Sequence, residues 1–187
     1  MKYFAWLEEE LQKTDHTFDE FDGSMKVLEY RKNGSDLFIH PSFETTSSFG
    51  SNGAIIHYKP ENETCLKLSN KEIYLLDSGG QYLDGTTDIT RTVHFTEATD
   101  FQKDCYTRVL MGNLDVERSV WPKSAKYAGA DFDYLARRHL MQVGLEFKHG
   151  TGHGIGCCLC VHEGPIGISR ANKIPYEEGM VVSDEPG

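Results

Sequence analysis

The sequence predicts an α+β domain, and three features of the chain lead to that fold class. Two strand-like segments, residues 72–77 and 88–95, flank an Asp-Gly turn signal and predict a hairpin. Two helical segments, residues 100–119 and 130–143, follow the hairpin. A further strand-like segment comes near the end. The 187 residues, 39% of them hydrophobic, suffice for roughly one domain with a packed core.

Two helices are predicted before the hairpin. Residues 2–12 place Phe4, Leu7 and Leu11 at helical spacing, with acidic residues between them. Residues 17–32 continue with a second helical pattern. The Asn-Gly-Ser-Asp sequence that follows is typical of a loop.

Three later segments complete the predicted elements. Residues 53–58 predict a short buried strand, because Ala-Ile-Ile is a continuous apolar run. Residues 149–161 are glycine-rich with β-prone ends, and residues 180–183 predict a strand after a Glu-Gly turn. The residues of the helix 100–119 that are expected to face a core are Cys105, Val109, Leu110, Leu114 and Val116.

Charge and cysteine content exclude several classes of function. The formal net charge is −10, which disfavours nucleic acid and anionic membrane surfaces as partners, because both require a basic face. No apolar run approaches the roughly 20 residues that a membrane helix needs. The five cysteines are odd in number and three fall within four positions, so we expect a reducing, cytoplasmic location and no disulfide framework.

Two aspartates lie on the arms of the predicted hairpin. Asp77 ends the first strand and Asp88 begins the second. Opposed positions on paired strands lie about 4.5–5.5 Å apart at Cβ, and carboxylates that close repel unless a proton or cation lies between them. The pair is therefore a candidate cation site, and turn capping by both aspartates explains the pattern equally well.

Three histidines, His149, His153 and His162, fall in a glycine-rich segment near the end of the chain. Histidine is the commonest metal ligand and the usual proton carrier near neutral pH, and glycines let a ligand approach closely. Glu185 follows the last predicted strand, where acid-Pro-Gly is also ordinary turn chemistry. With the aspartates this set suits Mn, Co or Zn, and two such ions would activate a bridging water for hydrolysis.

These motifs closely resemble those of aminopeptidase P, the Xaa-Pro aminopeptidases among the pita-bread metallopeptidases. The resemblance extends over nearly the whole chain and is strongest in residues 53–58, 77–92, 149–165 and 180–187. It implies a pita-bread fold, a curved antiparallel sheet with helices outside. It also implies two divalent ions, usually Mn²⁺ with Zn²⁺ or Co²⁺ as alternatives, and hydrolysis of the bond between an N-terminal residue and a following proline.

The resemblance implies a set of four metal ligands. Asp77 resembles the aspartate that chelates one metal, and Asp88 the aspartate that bridges both. His153 and Glu185 resemble the ligands of the other metal. Glu185 also resembles the proposed general base.

The resemblance implies a second set of residues for the substrate. His57 and His162 resemble the catalytic histidines that position the peptide and shuttle protons. His149 resembles the histidine that lines the pocket for the penultimate proline. The partners implied are peptides with proline at the second position and a second copy of the chain in a homodimer.

The chain departs from the family pattern in two ways. The family has a fifth ligand, a bridging glutamate on a strand beyond the Asp-Glu-Pro-Gly turn, and it has further domains before the catalytic one. Residues 1–187 contain neither. We therefore expect a partial pita-bread catalytic domain that is missing its last strands and holds a weakened two-metal site.

Two other functions stay open from the residues. A prolidase-type dipeptidase on the same fold would reject longer peptides. A non-catalytic pita-bread domain that binds peptides or proteins is disfavoured by the four matched ligands. For Cys157, Cys158 and Cys160 we expect small buried residues in a tight strand, with thiol sensitivity or zinc capture as the alternative.

Overall fold

A computed structural model describes residues 2–13, 15–61, 63–158 and 160–187. The chain divides into two compact units, Met1–Ala98 and Thr99–Gly187, each described by itself below. The strand pairs are antiparallel, and helices and strands come in separate runs along the chain, which agrees with the predicted α+β class. No helix in the described ranges has the length and hydropathy to cross a membrane.

The first unit opens with two helices, α1 (Lys2–Glu10) and α2 (Glu20–Lys32). Helix α2 begins later than the pattern predicted, because Asp19 caps it. The Asp19 carboxylate accepts a hydrogen bond from the Asp22 amide at 2.9 Å, and the Asp22 carboxylate accepts one from the Asp19 amide.

Six strands form two small sheets in this unit. The strands are β1 (Phe38–Pro41), β2 (Thr46–Phe49), β3 (Tyr74–Ser78), β4 (Gly80–Tyr82), β5 (Gly85–Thr86) and β6 (Ile89–Val93). The sheet β2-β3-β6 contains both strands of the predicted hairpin, and the sheet β1-β4-β5 contains the predicted Asp84-Gly85 turn. Strands β1 and β2 were not predicted, because each is only four residues long and neither has a clear alternating pattern.

The core of the first unit lies between the helices and β3. Leu7 on α1 is fully buried, and Val27 on α2 packs into the same cluster as Tyr74 and Leu76 on β3. The hydroxyl groups of Tyr3 and Tyr74 share a hydrogen bond of 2.8 Å inside this cluster. The apolar spacing predicted for the first helix is therefore used as expected, with Leu7 and Leu11 in the core and Phe4 packed against it.

The predicted strand over residues 53–58 is wrong. Residues Gly50–Ala54 form a 3-10 helix, and the chain then turns, with the Ile55 amide donating to the Asn52 carbonyl and the Tyr58 amide to the Ile55 carbonyl. Ile55 and Ile56 are 53% and 50% exposed. The apolar run resembled a buried strand, but local hydrogen bonds and the contacts of Asn52 and Tyr58 set its conformation.

The second unit contains α3 (Asp100–Glu117), α4 (Gly129–Met141), β7 (Gly152–Ile155) and β8 (His162–Ile168). Thr99 and Gln102 form a capping box at the start of α3. The two helices touch through Gly112, where an added Cβ would lie 2.1 Å from the Ala136 carbonyl oxygen. Gly144 follows α4 with φ 75°, the left-handed backbone that ends many helices.

Two predictions about the core and the strands of this unit are wrong. Leu110, predicted to face the core, is 45% exposed, because α4 covers a narrower stripe of α3. The predicted strand 180–183 is reduced to a single bridge between Gly154 and Val182.

The cysteine prediction is also wrong. Cys157, Cys158 and Cys160 are exposed in the connection between β7 and β8, and are not buried in a strand. These residues lie between two short strands and not within one, so strand pairing does not cover their side chains. The thiol-sensitivity alternative therefore stays a prediction.

Candidate metal centre

The two aspartates of the first unit are diagonal neighbours and do not lie directly opposite each other. In the β3-β6 register Asp77 pairs with Thr90 and Ser78 pairs with Ile89. Asp88 directly precedes β6, two positions before the partner of Asp77. Diagonal positions on one face lie about 7–8 Å apart at Cα, which is still within reach of two carboxylates that share a cation.

Asp77 is held by neighbours on both sides. It lies on the central strand of its sheet and pairs with Thr46 on β2 as well as with Thr90 on β6. Both aspartates are half-buried. A central strand restrains its backbone through two hydrogen-bond ladders, so the position of this carboxylate is fixed by the sheet and not by a loop.

His57 lies in the first unit, in the turn after the 3-10 helix. Its side chain is exposed. Its φ is 56°, so its backbone is left-handed, a conformation that costs a residue other than glycine about 1–3 kcal/mol. Such strain persists only where the surrounding structure over-determines the backbone, and it concentrates at functional sites.

Three predicted residues of the second unit come together beside β7. His153 lies on β7 and His162 begins β8, and the centroids of their rings are 3.8 Å apart. The His153 Nε2 atom is 2.8 Å from the Glu185 Oε1 atom. An imidazole and a carboxylate that converge in this way form a donor set that suits a divalent cation.

Backbone hydrogen bonds bring Glu185 to β7. The Ser183 amide donates to the His153 carbonyl at 2.8 Å, and the Glu185 amide donates to the Thr151 carbonyl at 2.6 Å. The His153 amide donates in return to the Ser183 hydroxyl at 3.0 Å. The segment 183–185 therefore runs along β7 without forming a regular strand.

The pKa values of two neighbouring carboxyl groups in this unit, Asp184 and Glu185, are shifted in opposite directions. Burial raises the pKa of Glu185, but hydrogen bonds from His153 and Ser183 and the charges of His153 and His162 more than offset it and hold that pKa below its ordinary value. Burial, followed by the charges of Glu117 and Glu185, raises the pKa of Asp184 to about 7. Glu185 is thus ionised at neutral pH, as a cation ligand requires.

His149 lies three residues before the start of β7. Its ring is 4.8 Å from the ring of Phe147, centroid to centroid, and its Nδ1 atom is 2.8 Å from the Gly150 carbonyl oxygen. The described contacts link it to Phe147 and do not link it to the His153 ring.

A buried ion pair on α4 supports this segment, and the sequence analysis did not identify it. Arg137 donates to both carboxylate oxygens of Asp133, to the Phe147 carbonyl at 2.6 Å and to the His149 carbonyl at 2.7 Å. The Thr151 hydroxyl donates to Asp133 at 2.8 Å. The signal was present in the sequence, because an Asp and an Arg four residues apart face the same side of a helix.

Comparisons with known proteins bear on this site. The model of metallopeptidase family M24 matches residues 2–187. A probable Xaa-Pro aminopeptidase P of Arthroderma otae is 52% identical over 190 residues, covering 100% of this chain and 30% of the relative. The corresponding protein of Penicillium rubens is 51% identical over 189 residues, with coverage of 100% and 30%.

Solved structures agree with the sequence relatives. The X-prolyl aminopeptidase of Caenorhabditis elegans, described as cytosolic with a di-nuclear active site, superposes with a TM-score of 0.91 at 38% identity, over 99% of this chain and 30% of that one. A prolidase of Thermococcus sibiricus gives a TM-score of 0.81 at 27% identity, with coverage of 99% and 47%. The resemblance inferred from the motifs and the pita-bread fold class are confirmed. The chain spans about 30% of the length of the curated relatives it matches.

Proposed function

This chain belongs to metallopeptidase family M24, and from that premise we propose that the protein carrying it is a metal-dependent aminopeptidase that hydrolyses the N-terminal Xaa-Pro bond of peptides. The observation that carries the proposal is the convergence of His153 and Glu185, with Nε2 and Oε1 2.8 Å apart. Relatives at 52% identity named Xaa-Pro aminopeptidase P favour this activity over that of the prolidases, which are more distant.

We propose Asp77, Asp88, His153 and Glu185 as the ligands of two divalent ions, with Mn²⁺ as the metal. The donor chemistry supports this, because carboxylate oxygens with imidazole suit Mn²⁺. When bound, such ions supply water activation and neutralisation of developing negative charge. The Caenorhabditis elegans enzyme is described as having a di-nuclear active site, and a site of this kind is extended to this chain as part of the proposal.

The protein's own groups divide the remaining work. Glu185 accepts a proton from the attacking water, and its low pKa matches the ionised form that this step needs. His162 and His57 both have exposed side chains, which suits groups that hold the peptide and carry protons. His149, backed by Phe147, lines the pocket for proline.

Three further properties belong to the proposal. Residues 1–187 form part of a larger catalytic domain, which accords with the coverage of about 30% of its relatives. The location is the cytoplasm, in keeping with the odd number and close spacing of the cysteines and with a relative described as cytosolic. The protein is a homodimer, on the resemblance alone.

Substrate selectivity tests the proposal. The full-length protein that carries this sequence, supplied with Mn²⁺, is expected to release arginine from Arg-Pro-Pro and to leave Arg-Ala-Ala intact. Cleavage of the dipeptide Arg-Pro alone would indicate a prolidase. Binding of Arg-Pro-Pro without cleavage of any peptide would indicate a non-catalytic domain.

A matched pair of variants connects selectivity to the site. Asp88→Ala removes a proposed ligand at the end of a strand, so turnover is expected to vanish while the fold is kept. Asp84→Ala removes an exposed carboxylate from the turn of the same region and is expected to retain turnover. Equal activities of the two variants would contradict the ligand assignment.

A further inference from the structure

We propose that Glu20 is a positioning residue that fixes the backbone of His57, and through it the substrate-side imidazole; this inference rests on the proposed function of His57. Glu20 is the first residue of α2 and its side chain is fully buried. A carboxylate without solvent access is kept in a fold only where donors satisfy it. The identity of those donors points to its role.

The donors to Glu20 come from three separate segments of the first unit. Oε1 accepts from the Phe49 amide at 2.6 Å and from Asn52 Nδ2 at 3.0 Å. Oε2 accepts from Asn52 Nδ2 at 3.0 Å, from the Tyr58 hydroxyl at 2.7 Å and from the Leu66 amide at 2.8 Å. Every partner donates and none accepts, so the acceptor-only carboxylate matches the site and an amide would not.

Two of these donors, Asn52 and Tyr58, lie on either side of the segment that ends in His57. We call the contacts of Glu20 with these two residues the bracket. Asn52 lies in the 3-10 helix and Tyr58 directly follows His57, so one carboxylate holds both ends of residues 53–57. Asn52 Nδ2 also contacts the Tyr58 hydroxyl at 3.1 Å, which closes a triangle of side chains. Residues 54–57 are exposed, so packing contributes little to holding them.

The strained backbone of His57 gives this bracket a function. Its left-handed φ of 56° opposes the local preference of a residue with a side chain. The burial of Tyr58 and the contacts of Glu20 supply the outside restraint that such a conformation requires. Within the turn itself, the amides of Ile55 and Tyr58 donate backbone hydrogen bonds to the Asn52 and Ile55 carbonyls, and the contacts of Glu20 add to them.

The same bracket is connected to the strand of a candidate metal ligand. The Thr46 hydroxyl donates to the Tyr58 carbonyl at 2.9 Å. Thr46 is the β2 partner of Asp77 in the sheet register. Glu20 thus holds the hydroxyl of Tyr58, and Thr46 on β2 holds its carbonyl. These contacts fix the position of His57 relative to that of Asp77.

The test is a double-mutant cycle on kcat and KM in the full-length protein with Arg-Pro-Pro and Mn²⁺. Glu20→Gln places an amide group against donors and is expected to lower kcat/KM by about 10- to 100-fold, the effect of a displacement near 1 Å at a reacting group. In a His57→Ala background the same substitution is expected to have little effect. Glu29→Gln, on the exposed side of α2, is the matched control and is expected to leave both constants unchanged.

The outcomes separate positioning from general stability. An equal loss in both backgrounds would overturn the proposal, as would no loss in either. If Glu20→Gln does not fold, Tyr58→Phe removes one donor and keeps the ring. Tyr58→Phe is expected to cause a smaller loss with the same dependence on His57, and an equal loss in both backgrounds would overturn the proposal.

A readout without turnover keeps this inference separate from the proposed function. Hydrogen exchange at the Ile55 and Tyr58 amides is expected to accelerate at least 10-fold in the Glu20 variant or in Tyr58→Phe, and not in Glu29→Gln. Accelerated exchange in a protein that cleaves no Xaa-Pro peptide would uphold the bracket and refute the peptidase. Unchanged exchange in an active peptidase would do the reverse.

Discussion

Replacing Asp133 with asparagine tests the buried ion pair between Asp133 and Arg137 on α4. Asp133 is 1% exposed and Arg137 is 5% exposed. The carboxylate accepts from Arg137 at 2.9 and 3.1 Å and from the Thr151 hydroxyl at 2.8 Å. Asparagine keeps the shape and removes the charge, so the guanidinium is left buried without its counter-ion.

The magnitude follows from burial. Removing one partner of a buried pair costs about 3–5 kcal/mol, because the remaining charge stays desolvated. The same helix geometry at the surface provides the control, since Asp104 and Arg108 are also four residues apart at 2.7 Å. Asp104 has a side chain that is 50% exposed, so Asp104→Asn is expected to cost about 0.3–0.5 kcal/mol.

The assay is hydrogen exchange of the α4 amides across a urea series. Exchange is preferred to fluorescence because Trp6 and Trp121 lie in different units. We expect the free energy of opening of α4 to fall by about 3–5 kcal/mol in Asp133→Asn. In an Arg137→Met background, Asp133→Asn should have a much smaller effect, because the double variant keeps neither charge of the buried pair. A loss no larger than that of Asp104→Asn, or strict additivity with Arg137→Met, would refute the reasoning.

Three further predictions follow from the site and its surroundings. Mn²⁺ should raise the melting temperature of the full-length protein, because a free metal concentration of 100 times the dissociation constant stabilises the folded state by roughly 2.7 kcal/mol. An undiminished rise in melting temperature in Glu185→Gln would contradict the role of Glu185 as a ligand. His162→Ala should lower turnover more than metal content measured by mass spectrometry, and equal losses would make it a ligand. Burial raises the pKa of Asp115, but His139 at 2.6 Å and Arg138 at 2.7 Å offset this and lower it. Its stabilising effect is therefore present above its unfolded pKa near 3.8 and lost as pH falls through the lower folded value. Asp115→Asn should therefore weaken the dependence on pH, below pH 4, of the free energy of unfolding measured in urea. An unchanged dependence on pH in this variant would contradict the prediction.

The elements that the sequence predicted well are those with a local signal. The apolar run of β3 and the alternating run of β6 were predicted to pair, and the structure pairs them as expected. The Asp-Gly turn is also present, but it joins β4 and β5 in the other sheet. Helices α3 and α4 have periodic apolar residues and are confirmed within a few residues at their ends. The histidine and glutamate motifs of the second unit also proved to lie together beside β7.

The features that the sequence could not show depend on distant partners. The run 53–58 resembles a strand, but Glu20 holds its two ends from about thirty residues or more away in sequence. No periodic pattern identifies Glu20, because a single glutamate at the start of a helix is ordinary. Asp77 was predicted on the correct strand, whereas Asp88 directly precedes the strand that it was predicted to begin. Only the register showed that the two aspartates are diagonal neighbours.

The most direct test of the account is hydrolysis of Arg-Pro-Pro as Mn²⁺ is titrated into the metal-free full-length protein and its Asp88→Ala variant. The account predicts arginine release that rises with added metal, is reversed by a chelator and is absent in the variant. Release that persists in the chelator, or that is equal in the variant, would contradict it.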